Sequence, residues 1–342
     1  MFESGGDRVA VVTARAATFE IAPEADPSPG AGEVVVATLA TGICGSDLHL
    51  FSGDHPYAAY PLVQGHEVVG RVAAVGAGVD SGLVGMLAVV EPTMECNACP
   101  ECARGAYNRC EDLQVIGVQR PGSLAGRFIT RAEKLHPVPE TGDSESWALV
   151  EPLAVACHAV ARSAVDESST VIVLGAGVIG VSIALALREL GPERVIVVEP
   201  SEVRRERVTA LGLGRAVAPA RVGAELARFQ PGGADVVFEA TGYAAVLGGA
   251  HGIVRPGGQI VVVGQSGDSF SLPMIVMTRK ELSLIGTRNS ANQFPYAIDL
   301  LDRHPGFAAS VITDRVPARS AAEAFAKLMT PATPAFKVLL TS

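Results

Sequence analysis

Valines and other β-branched residues alternate with glycines and polar residues in the first half of the chain. Residues 8–20 and 33–41 predict two strands, with the Pro- and Gly-containing segment 27–32 as the turn between them. Between residues 62 and 90, valines recur among regularly placed glycines. This pattern predicts the short strands of a barrel-like β domain.

The hydrophobic pattern changes near residue 150. Residues 170–174 form a continuous apolar run, which is typical of a parallel strand that is buried on both faces. The next segment, residues 178–190, has apolar residues spaced as on one surface of a helix, and it is therefore predicted to be helical. Further strands are predicted over residues 194–199, 234–239, 258–264, 282–286 and 336–340. The alternation of strands with helical patterns predicts an α/β domain with a parallel sheet.

Length and charge exclude several classes of protein. A chain of 342 residues with 48% hydrophobic residues is long enough for two domains. A net charge of −9 disfavours nucleic acid as a partner, because phosphate backbones bind to basic surfaces. The sequence has no apolar run of membrane-spanning length, and Met1–Ala10 lacks a signal-peptide pattern. We therefore expect a soluble, cytoplasmic protein.

A dinucleotide-binding motif opens the predicted helix at 178–190. Gly175, Gly177 and Gly180 form G-x-G-x-x-G, with Val178 and Ile179 between the last two glycines. The motif directly follows a buried strand, and this context makes it specific. Such glycines permit a tight turn, close approach of a pyrophosphate and tight packing of helix on strand, while the helix N-terminus attracts the phosphates.

The second strand of this domain ends at Glu199, near the spacing expected of the acid that binds the adenosine ribose. A carboxylate there would repel a 2′-phosphate, which favours NAD over NADP. A solvated glutamate without a role is the alternative. Arg204 and Arg205 follow closely and could accommodate a phosphate. Thr241 and Gly264, in loops after later strands, are expected to line the cofactor cleft.

Four of the six cysteines lie between residues 95 and 112. Cys96, Cys99, Cys102 and Cys110 could form a closed tetrahedral zinc site, whose role would be structural because no coordination position stays open. An iron–sulfur cluster is the rival interpretation, although the spacing of the fourth cysteine does not match that of ferredoxins. Four reduced thiols without a metal are the remaining alternative.

A second set of possible metal ligands is scattered along the chain. Cys44, His66, Glu67 and Glu151 offer a thiolate, an imidazole and two carboxylates, which suit zinc. Each residue alone could equally be a buried cysteine, a core histidine or a surface glutamate. Their occurrence together with a dinucleotide motif favours a catalytic metal site.

These motifs resemble, in order and spacing, those of the zinc-containing medium-chain dehydrogenase/reductase superfamily. The resemblance covers nearly the whole chain and includes Gly65-His66-Glu67, the four-cysteine lobe and the glycine loop. It implies a GroES-like β-barrel catalytic domain over residues 1–150 and 287–342. It also implies a Rossmann domain, with a doubly wound parallel sheet, over residues 151–286.

Within the superfamily the chain most resembles the polyol and sugar-acid branch, typified by sorbitol dehydrogenase. Glu151 stands where liver-type alcohol dehydrogenases have a third cysteine ligand. The segment Gly286–Ser290 resembles one that bears a substrate-binding arginine, which would be Arg288 here. The resemblance therefore implies a polyhydroxylated alcohol as the substrate.

The resemblance also implies two zinc ions with different tasks, one in the cysteine lobe and one at the catalytic site. Cys44, His66 and a carboxylate would hold the catalytic zinc, with Glu67 and Glu151 both open as the third ligand. Ser46 and His49 match the proton relay of the family. Asp47 is expected to orient His66 and fix its tautomer.

The implied activity is hydride transfer between a secondary alcohol and NAD. A zinc-dependent ketone or aldehyde reductase that uses NADPH is the alternative enzyme, and a dinucleotide sensor without catalysis is the alternative outside enzymes. A sensor would be expected to lose Cys44, His66 or the relay residues, which are all present. The family further implies a homodimer or homotetramer.

Overall fold

The structure, a computed structural model, describes residues 9–24, 26–330 and 335–342. The chain divides into two compact units, Met1–Glu151 with Ala297–Ser342 and Pro152–Tyr296. The sequence predicts the second junction at 286/287, whereas the structure groups residues 287–296 with the second unit. Residues 1–8, which include the start of the predicted strand 8–20, lie outside the described residues.

The helices and strands follow one another along the chain in three stretches. The first contains β1 (Val9–Arg15), β2 (Thr18–Pro23), β3 (Glu33–Gly42), α1 (Gly45–Ser52), β4 (Leu62–Val63), β5 (Glu67–Val75), β6 (Leu87–Val90), β7 (Thr93–Met94), α2 (Pro100–Ala103), β8 (Gln114–Val115), β9 (Arg127–Arg131), β10 (Leu135–Pro137) and α3 (Val150–Ala161). The second contains β11 (Thr170–Leu174), α4 (Val178–Leu190), β12 (Arg194–Val198), α5 (Glu202–Ala210), β13 (Arg215–Val217), α6 (Val222–Phe229), β14 (Ala234–Glu239), α7 (Ala244–Gly249), β15 (Val254–Val262), α8 (Met274–Lys280) and β16 (Ser283–Gly286). The third contains α9 (Phe294–Arg303), α10 (Pro305–Val311), β17 (Ile312–Pro317), α11 (Ala321–Met329) and β18 (Lys337–Thr341).

The second unit contains the predicted parallel sheet, in the order β13-β12-β11-β14-β15-β16. The strand β11 is buried along its whole length, which explains its continuous apolar sequence. Leu174 pairs in register with Val198 on one side and with Glu239 on the other. The strands therefore end at one edge of the sheet, and the loops that follow them meet there. The predicted Rossmann fold is confirmed.

The first unit is built of antiparallel strands around a valine-rich core. Its largest sheet has the order β10-β6-β5-β3-β18-β17, and β9 also pairs with β3. Val34, Val36, Val68 and Val72 lie almost fully buried between these elements. The last strand, β18, lies between β3 and β17, so the end of the chain completes the sheet begun by its first segment. This separate, mostly antiparallel unit agrees with the predicted GroES-like β domain.

One predicted strand was wrong. Residues 9–23 form a hairpin of β1 and β2, in which Arg15 pairs with Thr18, rather than one strand up to residue 20. The turn contains Ala17 with φ of 56°, a conformation that alanine rarely adopts. Neither Gly, Pro, Asn nor Asp marks this turn in the sequence, so the usual signal was missing.

Among the described residues, no helix is both long and apolar enough to cross a membrane.

Candidate active site

The glycine loop connects β11 to α4 at the carboxyl edge of the parallel sheet. Gly175 adopts φ of 97°, and a Cβ on Gly180 would lie 2.0 Å from the carbonyl oxygen of Gly175. The fold itself therefore requires these two glycines. Gly177 caps the helix, and a Cβ on it would meet no protein atom within 4 Å. Its small size leaves room for a ligand at the helix N-terminus, where the first-turn N–H groups of the helix point outward.

Glu199 follows β12 and is almost fully buried. One carboxylate oxygen accepts a hydrogen bond from the Ala176 N–H at 2.8 Å, and the other accepts one from the Ser201 N–H at 2.9 Å. The side chain thus ties the end of the second strand to the glycine loop. Its lone pairs exceed these two bonds, so it retains capacity to accept further hydrogen bonds.

Positive charge lies close to Glu199 on α5. The Arg205 guanidinium donates to the backbone carbonyls of Glu199 and Pro200 at 2.8 and 2.6 Å. Burial and the charge of Arg204 lower the pKa of Arg207, so these two guanidinium groups lie close enough to repel each other. The arrangement gives the segment after β12 a cationic face beside a carboxylate.

The Thr241 loop is held by a buried carboxylate that the sequence analysis missed. Glu239 ends β14 and is 1% exposed. Its carboxylate accepts hydrogen bonds from the Thr241 N–H at 2.7 Å, from the Thr241 hydroxyl and from the Gly242 N–H. A Cβ on Gly264 would lie 2.2 Å from the Gly242 nitrogen, so the loops after β14 and β15 are in close contact. An acid at the end of an apolar strand, before Thr-Gly, was the available signal.

The four cysteines of the lobe converge on one point. The Sγ atoms of Cys96, Cys99, Cys102 and Cys110 all lie within 4.8 Å of one another, and none forms a disulfide. The Cys96–Cys102 and Cys99–Cys102 sulfur distances are 4.0 and 3.5 Å. Four thiolates at the Zn–S bond length lie about 3.8 Å apart in a tetrahedron. The sulfurs thus fit one tetrahedral ion rather than a cluster of several irons, in which the thiolates are distributed over two or four metal ions.

Backbone N–H groups also favour thiolates in the lobe. The Cys96 N–H donates to the Cys110 sulfur, and the Cys99 N–H donates to the Cys96 sulfur, both at 3.3 Å. Backbone donors from Cys102 and Glu111 lower the pKa of Cys99 to about 6. Burial raises the pKa of Cys102 to about 12 and also raises that of Cys110, so a thiolate is favoured at Cys99 and thiols at these two until a cation binds.

A buried lysine, missed in the sequence, supports the lobe. Lys134 is 4% exposed, and its Nζ lies 2.8 Å from Oε2 of Glu95, the residue before Cys96. The same ammonium lies 4.6 Å from the ring centroid of Tyr107, near Cys110 in the sequence. The Lys134 ammonium thus contacts the lobe at Glu95, which precedes the first cysteine, and at Tyr107, which lies shortly before the last cysteine.

The second set of ligands assembles where β3 ends and β5 begins. Cys44 caps α1, directly after β3, and His66 immediately precedes β5. One ligand atom each from Cys44, His66 and Glu67 lies within 4.8 Å of the others. A thiolate, an imidazole and a carboxylate at this separation fit the donor set of zinc with a coordination position left over.

Asp47 and Ser46 flank the two nitrogens of His66. Asp47 Oδ1 lies 3.5 Å from Nδ1, while Oδ2 accepts a hydrogen bond from the Cys44 N–H at 2.9 Å. Ser46 Oγ lies 3.5 Å from Nε2. Burial disfavours the imidazolium, but Asp47 outweighs it and raises the pKa of His66 well above its ordinary value. A metal bound at Nε2 of His66 would replace the imidazolium proton on that nitrogen, while Nδ1 would remain directed at Asp47.

Glu67 forms a buried ion pair that the sequence did not reveal. Its carboxylate, 1% exposed, accepts from the Lys337 ammonium at 2.8 and 2.6 Å. Glu151, at the start of α3, lies outside the close set of ligand atoms. Burial, aided by the charge of Glu67 and opposed by that of His66, raises the pKa of Glu151 to about 7. The two glutamates thus differ: Glu67 is paired with a buried ammonium, whereas the pKa of Glu151 lies near neutral pH.

Two further predicted residues, His49 and Arg288, are not among the ligand atoms of this set. His49 is exposed on α1, and burial together with the charge of His49 lowers the pKa of His55. A second histidine therefore lies near the end of the predicted relay. Arg288 is exposed, follows β16 and belongs to the second unit.

The raised pKa of Glu151 predicts a pH-dependent stability of the metal-free protein. The folded state keeps the proton up to about pH 7, whereas the unfolded carboxyl loses it near its ordinary pKa of 4.5. The free energy of unfolding should therefore fall as the pH rises from 4.5 to 7, by at most about 3 kcal/mol. Glu151→Gln removes this contribution. Urea unfolding of both metal-free proteins across this range should give a difference that grows with pH, and a constant difference would contradict the assignment.

Comparison with known proteins places these sites in a family. The alcohol dehydrogenase GroES-like domain matches residues 30–140, and the zinc-binding dehydrogenase domain matches residues 177–303. The chain is 36% identical to 2-dehydro-3-deoxy-L-galactonate 5-dehydrogenase of Pseudoalteromonas atlantica, over 80% of this chain and 81% of that one. It is 33% identical to sorbitol dehydrogenase of Halalkalibacterium halodurans, over 79% and 80% of the two chains.

A solved structure supports the same assignment. The rspB alcohol dehydrogenase of Escherichia coli, solved with NADH, superposes with a TM-score of 0.92 at 30% identity, over 98% of this chain and 99% of that one. Both domain matches, the relatives and the fold agree with the resemblance seen in the sequence. The chain belongs to the polyol and sugar-acid branch of the zinc-containing medium-chain dehydrogenase/reductase superfamily.

Proposed function

We propose that this protein transfers a hydride between a secondary alcohol of a polyol or sugar acid and NAD. The observation that carries the proposal is the convergence of Cys44, His66 and Glu67 in a chain that also has an intact dinucleotide loop. Relatives named as galactonate-type and sorbitol dehydrogenases support the polyhydroxylated substrate. Residues 1–150 with 287–342 would form the catalytic domain, and residues 151–286 the cofactor domain.

The side chains divide the chemical work. Lewis-acid polarisation of the alcohol oxygen by zinc and acceptance of the hydride by nicotinamide are the chemistry that the bound groups supply. Cys44, His66 and a carboxylate from Glu67 or Glu151 would hold the catalytic zinc. Ser46 would take the alcohol proton, because its hydroxyl lies beside His66, and would pass it outward to the exposed His49.

The cofactor domain would bind NAD at the carboxyl edge of its sheet. The pyrophosphate would lie against Gly177 and the residues Val178 and Ile179 at the start of α4. Glu199 would accept the ribose hydroxyls and repel a 2′-phosphate. Thr241 and Gly264, whose loops are in contact through Gly242, would line the same cleft.

The charge of Glu199 predicts the cofactor preference. Glu199→Gln keeps the shape of the side chain but removes the repulsion of a 2′-phosphate. We expect the ratio of kcat/KM for NAD to that for NADP to fall about tenfold or more, which corresponds to the loss of one charge-assisted hydrogen bond. Glu206→Gln, the same change at an exposed position of α5, should leave the ratio unaltered. Equal losses with both cofactors in Glu199→Gln would remove the ribose assignment.

One feature favours the alternative, an NADPH-dependent ketone or aldehyde reductase. Arg204 and Arg207 lie close together on α5 and could bind a 2′-phosphate. The buried carboxylate of Glu199 opposes this, because it lies at the end of β12, where that phosphate would approach. Initial rates with each cofactor, in both directions, separate the two functions.

The experiment that tests the proposal is a substrate screen. Purified protein is mixed with NAD and, in turn, with polyols, aldonates and simple secondary alcohols, and the absorbance of NADH is followed. NADH formation with one or more polyols or aldonates is expected, at a higher kcat/KM than with simple alcohols. Activity restricted to simple alcohols, or none with any alcohol, would contradict the proposal.

We also propose a homodimer or homotetramer in the cytoplasm. The edge strand β16 has largely exposed residues, and the nearby helix α8 exposes Met274 and Ile275, so this side of the second unit could pair with another copy. The reduced cysteines of the lobe suit a reducing compartment. Light scattering of the purified protein measures the oligomeric state.

A further inference from the structure

Lys337 is a buried cation next to the candidate metal centre. Only 2% of the residue is exposed, and its ammonium has three acceptors: both carboxylate oxygens of Glu67 and the carbonyl oxygen of Ile43, at 2.8 Å. An ammonium has three N–H donors, so this one is fully used. Ile43 directly precedes Cys44. The Lys337 side chain therefore contacts the backbone of the residue that precedes Cys44. It also contacts the carboxylate of Glu67, the residue that follows His66.

The chain is built to accommodate this contact. β18 pairs antiparallel with β3, with Leu339 opposite Gly42, and this register brings Lys337 to the end of β3. A Cβ on Gly42 would lie 2.0 Å from Oε2 of Glu67, so only glycine leaves space for the carboxylate over the strand. Three separate segments of the first unit thus converge on one ammonium.

Stability alone does not explain such a pair. A buried ion pair contributes little net stability, because the cost of removing both charges from water offsets their attraction. Apolar side chains of similar size would fill the same space at least as well. The charge is thus explained better by its effect on the neighbouring site, where a hydrogen-bonded carboxylate is held in one position.

We propose that Lys337 is a positioning residue of the catalytic metal centre and acts through Glu67. It fixes the direction of the Glu67 carboxylate relative to Cys44 and His66, so the donor set is complete only when the last strand has paired. This inference rests on the proposed function, since it assumes that Cys44, His66 and Glu67 surround the catalytic metal.

The test compares Lys337→Met, Lys337→Arg, Glu67→Gln and the double variant Lys337→Met/Glu67→Gln. Cobalt is placed at the Cys44–His66 site, with zinc kept in the cysteine lobe, and its visible absorption spectrum is recorded. Turnover is measured on the zinc-loaded forms. Lys337→Met should change the cobalt spectrum and lower kcat about 10- to 100-fold, and Lys337→Arg should recover part of both.

Because Lys337 is proposed to act through Glu67, the two substitutions should not be additive. In the Glu67→Gln background, Lys337→Met should alter kcat and the cobalt spectrum little. Lys327→Met, which removes a more exposed lysine paired with Asp314 in the same unit, should leave spectrum and kcat unchanged. If Lys337→Met does not fold because Glu67 is left unpaired, the double variant should fold, with the cobalt spectrum of Glu67→Gln.

An unchanged cobalt spectrum and kcat in Lys337→Met would overturn the inference, as would losses that multiply in the double variant. A double variant that folds but differs from Glu67→Gln in its cobalt spectrum would overturn it as well. Failure of the wild-type protein to bind cobalt at Cys44 and His66 would instead contradict the proposed function, so the two failures are distinguishable.

Discussion

Cys44→Ala is expected to lower kcat by about a thousandfold or more while leaving the fold intact. Cys44 supplies the sole thiolate of the Cys44, His66 and Glu67 set. Without Cys44, the two remaining ligands bind zinc more weakly. Loss of the zinc removes the Lewis-acid activation of the alcohol, which lowers the barrier by several kcal/mol. The side chain is only partly buried, so its truncation leaves little cavity. The measurement is the steady-state rate of NADH formation with saturating alcohol and NAD.

The matched control is Cys157→Ala. Cys157 lies buried in α3, outside both close sets of metal ligands, and burial raises the pKa of its thiol to about 12. It is therefore a neutral core residue, and its loss should cost some stability but little turnover. Undiminished turnover in Cys44→Ala, or equal losses in both variants, would contradict the catalytic assignment.

Gly177→Ala is expected to impair cofactor binding without impairing folding. An alanine Cβ meets no protein atom within 4 Å at this position, and its φ of −72° suits any residue. The added methyl group would instead occupy the space in which a pyrophosphate approaches the helix N-terminus. Loss of one or two charge-assisted hydrogen bonds raises the KM for NAD about tenfold to a hundredfold.

Two control substitutions, at Gly180 and Gly223, separate steric effects on the fold from steric effects on cofactor binding. Gly180→Ala should destabilise the protein, because its Cβ would collide with the Gly175 carbonyl. Gly223→Ala, on α6 of the same unit and with open space around it, should leave the KM for NAD unchanged and keep or slightly raise the melting temperature. A normal KM for NAD in Gly177→Ala would contradict the position of the pyrophosphate.

Local sequence patterns predicted most of the cofactor domain, but they missed β13, and β15 begins at Val254 rather than at residue 258. The helix predicted over 178–190 has those same bounds in the structure, because a glycine loop, a continuous apolar strand and a helical apolar surface all act over short distances. The strands 170–174 and 234–239 likewise match. The hairpin at residues 9–23 was missed, since two alanines form its turn.

The supporting charges of the sites could not be predicted in the same way. Lys337 is separated from Ile43 and Glu67 by 294 and 270 residues, and only the pairing of β18 with β3 brings them together. Lys134 contacts Glu95 and Tyr107 through the packing of the lobe against the turn between β9 and β10. An isolated lysine in an apolar run is a recognisable signal, but its partner depends on tertiary structure.

We propose that this chain holds two zinc ions with different tasks. The direct test is the zinc-to-protein ratio, measured by mass spectrometry, of the purified wild-type protein and of Cys44→Ala. We expect two zinc ions per chain in the wild type and one in the variant, retained by Cys96, Cys99, Cys102 and Cys110. The same ratio in both proteins would contradict it.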